Sequence, residues 1–348
     1  MKNCNFKTAK WCFATRRIDQ NLAGGLCHDF SQTKPGDLIL GRVTSIGNHR
    51  RIQLPEGRPS TLYPGDLVVL PCGARYAPDQ FEGFAEIDEQ CSDMLAGGGC
   101  IGRMVQRNER IKPPTRIQPL GRITSKDGTV LNTRDFALAK PITTSQIPVI
   151  CVVGTSMNSG KTTATAALAH GLTKAGWQAA VLKGTGTGAF GDYNAYTDTG
   201  ASYVADFTDA GMVTTYKEPL HRIVEGIDTL LSEAETRDCN IAVMELADGI
   251  FQQETAAILA TPSARSRFSK YLFACSDAVA AAGGVAELER NGIRPIALTG
   301  MLSCSPMTVN EAQIATGVQV LTKGQLLDPA YANTLAARTL MGRSALAA

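Results

Sequence analysis

The chain has 348 residues, of which 44% are hydrophobic and 19% charged, and its formal net charge is +2. At ~100–200 residues per domain this length predicts two domains, and the composition is globular rather than disordered. No apolar run approaches the ~20 residues of a helical membrane span, and the 34 glycines follow no collagen-like period.

The first twenty residues, MKNCNFKTAKWCFATRRIDQ, lack the apolar stretch of a secretory leader, so a cytoplasmic location is expected. Ten cysteines are scattered from Cys4 to Cys304 without a CxxC pair, and none lies at zinc-ligand spacing to any of the four histidines. Reduced structural thiols are the expectation, with Cys151 and Cys275 inside apolar runs. Residues 1–140 carry 20 Lys and Arg against 14 Asp and Glu, whereas the remainder carries 14 against 18. That asymmetry supports a boundary near residue 140.

Residues 1–140 are predicted to form a β-rich barrel or sandwich. Short strands such as 37–45, 51–54 and 67–70 are separated by turn residues, and Pro35-Gly36-Asp37 recurs as Pro64-Gly65-Asp66. The proline-rich Ile111–Pro119 cannot be a helix interior. Arg103, Arg107, Arg110, Lys112 and Arg116 form a basic stretch without interleaved aromatics. It is read as a solvated face, or as an interface with the more acidic C-terminal domain, rather than as a nucleic-acid surface. Tyr76–Phe81 is expected to be a loop.

Residues 141–148 read as a linker, and from Val149 to 348 the rhythm changes. VICVVG at 149–154 is a continuous apolar run, as in a strand covered on both faces. An alanine-rich helix follows over 161–175. Strands are predicted at 178–184, 241–246, 271–275 and 295–299, with a shorter one at 318–321. Helices are predicted at 221–234, 278–291 and 330–341. The alternation predicts an α/β domain with a parallel sheet covered by helices.

Between the first of these strands and its helix stands Gly154-Thr155-Ser156-Met157-Asn158-Ser159-Gly160-Lys161-Thr162, followed by Thr163. This is a phosphate loop with five residues between Gly154 and Gly160, where four are usual. Small residues let main-chain N–H groups turn around an anion, and the helix N-terminus adds partial positive charge. Lys161 contributes a point charge at the outer phosphates, and the Thr162 hydroxyl is placed for Mg²⁺. Ligands of open parallel sheets gather at the carboxyl ends of the strands. There stand Lys183, with Asp192 beyond a Gly-Thr run, and Glu245, with Asp248 as a weaker candidate for the metal. Lys161, Lys183 and Glu245 are the candidate catalytic residues. The loop from Gly154 to Thr163 is the candidate cofactor-binding segment. Thr162, Asp192 and Glu245 are the candidate metal ligands. Phe251–Thr255 is read equally as a pocket wall or as an ordinary helix start.

The GTSMNSGKT loop, Lys183, Asp192 and Glu245 resemble the dethiobiotin synthetase and cobyrinate amidase branch of P-loop proteins over about residues 147–325. That resemblance implies Lys161 and Lys183 as phosphate or substrate ligands, with Thr162, Asp192 and Glu245 at the metal. The chain departs from it in three places. Glu245-Leu246-Ala247-Asp248-Gly249 replaces Glu-Gly-Ala-Gly-Gly. Gly300–Ser305 stands where an asparagine reads the adenine. The N-terminal domain has no counterpart, so the chain is not itself a dethiobiotin synthetase. A looser similarity is to two-domain P-loop proteins, some linked to acyl-amino-acid metabolism. ParA/MinD-type ATPases carry a second lysine where this chain has Ser156, which argues against that relative.

The expected activity is ATP- and Mg²⁺-dependent transfer of a phosphoryl group to a small, carboxylate-bearing molecule, as a kinase or as a ligase using an acyl-phosphate type intermediate. Two alternatives stand beside it: a nucleotide switch acting as an assembly factor, and an acyltransferase whose loop holds a coenzyme A-like donor. The expected partners are a nucleotide and a small-molecule substrate, with a homodimer as the candidate assembly and neither membrane nor nucleic acid.

Overall fold

A computed structural model describes residues 6–344, so Cys4 and the first five residues of the N-terminal segment lie outside the described residues. The chain divides into two compact units. One gathers 1–138 with the short segments 187–191 and 207–217, and the other gathers 139–186, 192–206 and 218–348.

The first unit is built from β1 (Lys10–Trp11), β2 (Gly25–Cys27), β3 (Leu38–Ser45), β4 (Arg51–Gln53), β5 (Pro59–Thr61), β6 (Leu67–Pro71), β7 (Arg75–Tyr76), β8 (Phe81–Phe84), β9 (Ser92–Ala96), β10 (Cys100–Arg107) and β11 (Thr115–Thr124). Nine of them form one mixed sheet in the order β1-β6-β3-β11-β9-β10-β8-β7, with β2 on β11, while β4 and β5 pair separately. The sheet curls, since Cys72 just past β6 bridges Ile101 of β10. Pro119 sits inside β11 where the register with β3 shifts between Pro119 and Gly121. Proline lacks the N–H that a regular ladder would use there. The two Pro-Gly-Asp tripeptides are tight turns, with Gly36 at φ 93° and Gly65 at φ 95°. Asp37 N–H bonds Lys34 O at 3.0 Å and Asp66 N–H bonds Tyr63 O at 3.1 Å. Positive φ at the third turn position is what glycine supplies. Alternation on β3 and β6 sends Ile39, Val43, Val68 and Leu70 into one core with Ile52, Met94 and Ile117. Leu38, Leu40 and Val69 point into a second core. In the basic stretch, Arg103 pairs with Glu86 and Arg116 with Asp93, each at 2.6 Å. Tyr76–Phe81 turns between β7 and β8.

The second unit contains β12 (Val149–Gly154), α1 (Lys161–Lys174), β13 (Ala179–Lys183), most of α2 (Phe190–Thr197), β14 (Tyr203–Asp206), α3 (Leu220–Thr236) and β15 (Ile241–Glu245). It continues through α4 (Gln253–Ala260), α5 (Pro262–Arg265), β16 (Lys270–Ala274), α6 (Ala278–Arg290), β17 (Ala297–Thr299), α7 (Pro306–Thr316), α8 (Lys323–Leu327) and α9 (Pro329–Ser344). The strand order is β14-β13-β15-β12-β16-β17, and every pairing is parallel. The fold is α/β. β12, β13 and β15 are buried throughout, as expected of strands covered on both faces. Ala164, Leu168 and Leu172 of α1 pack with Leu326, Ala332 and Leu335 and with Ile150 and Val152 of β12. Helix α3 buries Ile223, Ile227, Leu230, Leu231 and Ala234, one helical stripe. The segment 318–321 is not a strand, and only Val320 bridges Leu298. β17 has just three residues, too short an edge to carry a ladder further. Phe251 to Thr255 is the start of α4, with the Gln252 side chain accepting the Thr255 N–H.

Candidate functional site

β12 delivers Gly154 to the carboxyl edge of the sheet, and the chain turns through 155–160 before α1 begins at Lys161. Gly160 joins loop to helix at φ 100°, and a Cβ there would stand 2.9 Å from the Gly300 Cα. Asn158 also takes a left-handed conformation, at φ 62°. Among the described residues, the hydroxyl oxygens of Thr155 and Ser159 are buried and find no hydrogen-bond partner. Buried polar atoms are seldom left so unless something else supplies the partner. Lys161 lies along this loop, 5% exposed, and its Nζ donates to the Ser156 carbonyl at 2.7 Å. Burial, the largest influence, pulls the Lys161 ammonium below its ordinary value, while Glu245 and Asp248 oppose that shift.

The neighbouring strands end in charge. Lys183 of β13 and Glu245 of β15 are direct register partners, so the parallel ladder sets an ammonium beside a carboxylate, both buried. Lys183 Nζ pairs with Asp192 Oδ2 and lies 3.6 Å from Glu245 Oε1. Burial alone would lower the Lys183 value, yet Glu245 and Asp192 together raise it. Burial likewise works to raise Asp192, but Lys183 holds its carboxyl below the usual range. Thr162 Oγ1 donates to Glu245 Oε2 at 2.9 Å, and the Tyr196 hydroxyl donates to the same oxygen. Burial and the nearby Glu245 push the Tyr196 phenol well up.

Lys161, Thr162, Lys183, Asp192, Glu245 and Asp248 line one cavity of about 340 Å³, with Met157, Asn158, Gly160 and Thr163 from the loop and Ala247 and Met301 opposite. Gly154, Thr155, Ser156 and Ser159 belong to the loop without lining that cavity. Tyr196 was not evident from composition, although its spacing of four from Asp192 on α2 puts both on one helical face. Among the described residues no group of three or more His, Cys, Asp or Glu forms a metal-binding cluster. A Mg²⁺ ion characteristically takes one or two carboxylates and completes its shell with phosphate oxygens and water. Thr162, Asp192 and Glu245 fit that pattern. The Thr162 proton is engaged by Glu245, which leaves the oxygen lone pairs for a cation.

Residues 136–207 match a family described as "Domain of unknown function (DUF1611_C) P-loop domain". The match takes in β12, the loop, α1, β13, α2 and β14. This is a P-loop fold. Such a fold implies nucleotide and Mg²⁺ binding. Solved structures similar to the chain include the signal recognition particle 54 kDa protein from Aeropyrum pernix K1 in complex with GDP, at 18% identity and a TM-score of 0.39. That match covers 58% of this chain and 48% of the other. The signal recognition particle receptor FtsY from Elizabethkingia anophelis is similar at 11% identity and a TM-score of 0.34, covering 53% of this chain and 66% of that one. No curated protein matches the sequence. Among the described residues, no helix is long and apolar enough to cross a membrane.

Proposed function

We propose that the P-loop unit binds a nucleoside triphosphate and transfers its terminal phosphoryl group to a small, carboxylate-bearing molecule. The observation that carries this reading is the convergence of Lys161, Thr162, Lys183, Asp192 and Glu245 on one cavity at the carboxyl ends of β12, β13 and β15. Lys161 exchanges the Ser156 carbonyl for phosphate oxygens. The loop N–H groups hold the polyphosphate chain. Lys183 sits where charge accumulates on the transferred group and is itself oriented by Asp192 and Glu245. Catalysis in such transfers is mostly positioning and charge neutralisation. A bound Mg²⁺, on Thr162 with Asp192 or Glu245, supplies further neutralisation of the phosphate oxygens. An acceptor carboxylate oxygen forms the new bond to the terminal phosphorus as the bridging P–O bond breaks, leaving a nucleoside diphosphate and an acyl phosphate.

A second reading is acyl transfer from a donor whose diphosphate lies in the loop. It is favoured by Met301, 56% exposed at the edge of the cavity, an apolar surface suited to the acyl and thioalkyl arm of such a donor. Calorimetric titration with ATP, GTP and an acyl-coenzyme A, followed by an assay for nucleoside diphosphate in the presence of pooled carboxylic acids, separates the readings. Lys161→Ala is expected to abolish both triphosphate binding and diphosphate formation. Full turnover in that variant, or a wild-type protein indifferent to triphosphates, overturns phosphoryl transfer. Slow hydrolysis that no acceptor accelerates would instead mark a nucleotide switch.

A further inference from the structure

The first unit holds a larger cavity, of about 620 Å³, that the P-loop chemistry does not use. β4 carries Arg51 and Gln53 on the face opposite the wholly buried Ile52, because strand side chains alternate. The residues just before it, His49 and Arg50, extend the same wall, and Arg75 of β7 closes the floor at 7% exposure. Gly97, Gly98 and the segment 187–190 complete the lining. Gly98 lies so close to Gly188 that a Cβ there would meet its carbonyl oxygen at 2.1 Å. Two main chains thus form the narrow part of the cleft. Among the described residues no Asp or Glu lines this cavity.

The charge of the cleft is organised. Arg75 donates through Nη1 to the Leu95 carbonyl and through Nη2 to Gln80 Oε1, the latter at 3.0 Å, so its fork is held in one orientation. His49 Nε2 also meets Gln80 Oε1 at 3.0 Å. Burial first, and the Arg75 charge second, push His49 down to about 4, so the imidazole is neutral at physiological pH and the positive charge is that of the arginines. Arg50 and Arg51 are exposed, and neither makes a side-chain ion pair among the described residues. Single-signed charge in a cleft with low-dielectric walls focuses its field on an entering counter-charge. Guanidinium forks suit the planar or tetrahedral oxygens of carboxylate and phosphate.

We infer that this cavity binds a small organic anion, its carboxylate or phosphate oxygens held by Arg50, Arg51 and Arg75. The volume is more than one phosphate or carboxylate group fills, so the ligand carries an organic body as well. This inference stands apart from the reading of the P-loop unit.

The test uses the full chain and two probes, succinate for carboxylates and glycerol 3-phosphate for phosphate esters, titrated calorimetrically at low ionic strength. At least one probe is expected to bind saturably to the wild type and equally to Lys161→Ala, which separates this site from the P-loop. The double variant Arg50→Gln, Arg51→Gln is expected to weaken that binding by about tenfold or more, the effect of losing a charge-assisted contact. Gly97→Leu gives a second check that leaves every charge in place. A Cβ at Gly97 meets no atom closer than 3.6 Å, so the added side chain has room to enter the cavity and should block binding. Failure of both probes to saturate, binding unchanged in both variants, or binding lost in Lys161→Ala each overturns the proposal. So does a protein that binds only an RNA oligomer, competing with neither small anion.

Discussion

Lys183 shows how a single side chain can be made to keep its charge while buried. Removing an ammonium from water costs several kcal/mol, and this one is surrounded by Asp192 on one side and Glu245 on the other. The arrangement has a pH signature. Asp192 has a folded value below its unfolded one, so the unfolded chain binds the extra proton and stability rises with pH. The contribution is fully present above the unfolded carboxylate value of ~3.9 and disappears as pH falls through the lower folded value. Denaturant titrations carried down from pH ~5 should show Asp192→Asn losing less stability on acidification than the wild type. Parallel curves for the two proteins would mean that the Lys183 ion pair does not govern acid sensitivity. Lys183 and Glu245 were visible in the sequence, because charge at the end of an apolar run is conspicuous, whereas Asp192 was flagged only by its place beyond a Gly-Thr run. The hydrogen bond from Thr162 to Glu245 was not, since the partners are 83 positions apart.

At the scale of elements, β12, the loop and α1 were the most legible part of the chain. A run of six apolar or small residues ending in glycine and followed by an alanine-rich stretch has few other solutions, and the observed bounds differ from the expected ones by at most one residue. Helix α2 was not legible, being only eight residues long and opening behind a glycine-threonine run. Yet α2 carries Asp192 and Tyr196 on one face, and both reach the charges at the ends of β13 and β15. Tyr196→Phe keeps the ring and removes the hydrogen bond to a buried carboxylate, an interaction worth about 1.5–3 kcal/mol. Urea unfolding should show a loss of that order. An unchanged midpoint would mean that Thr162 and Lys183 hold Glu245 without help from the helix. The arginine-lined cavity of the first unit was equally hidden. Its walls come from positions near 50, 75, 97 and 188, and only the curl of the sheet brings such distant segments together.

The molecule as a whole carries its own reporters of unfolding. The nine described cysteines are all free thiols, with Cys304 exposed and Cys12, Cys72, Cys100, Cys151 and Cys275 buried. Burial pushes Cys12, Cys100 and Cys275 up to about 12. Because the thiolate is the reactive form, these groups are inert while the fold is closed. With an alkylating reagent at neutral pH, Cys304 is expected to react ahead of those five, which should label only as their unit opens. Mass spectrometry of the labelled peptides checks this, and fast labelling of Cys151 or Cys275 in native protein would contradict the packing described. A saturating triphosphate with Mg²⁺ should slow Cys151 and Cys275, since a ligand at ~100 times its dissociation constant adds ~2.7 kcal/mol to the state that binds it.

The segments 187–191 and 207–217 group with the first unit although the residues on either side of each belong to the second. The polypeptide therefore threads back and forth, and no single scissor cut near residue 139 is expected to yield two self-sufficient pieces. A shortened gene beginning there would encode Phe207, Met212, Val213 and Tyr216, all buried in the intact protein, after discarding the strands that cover Val213. Such a fragment should be sticky and poorly behaved.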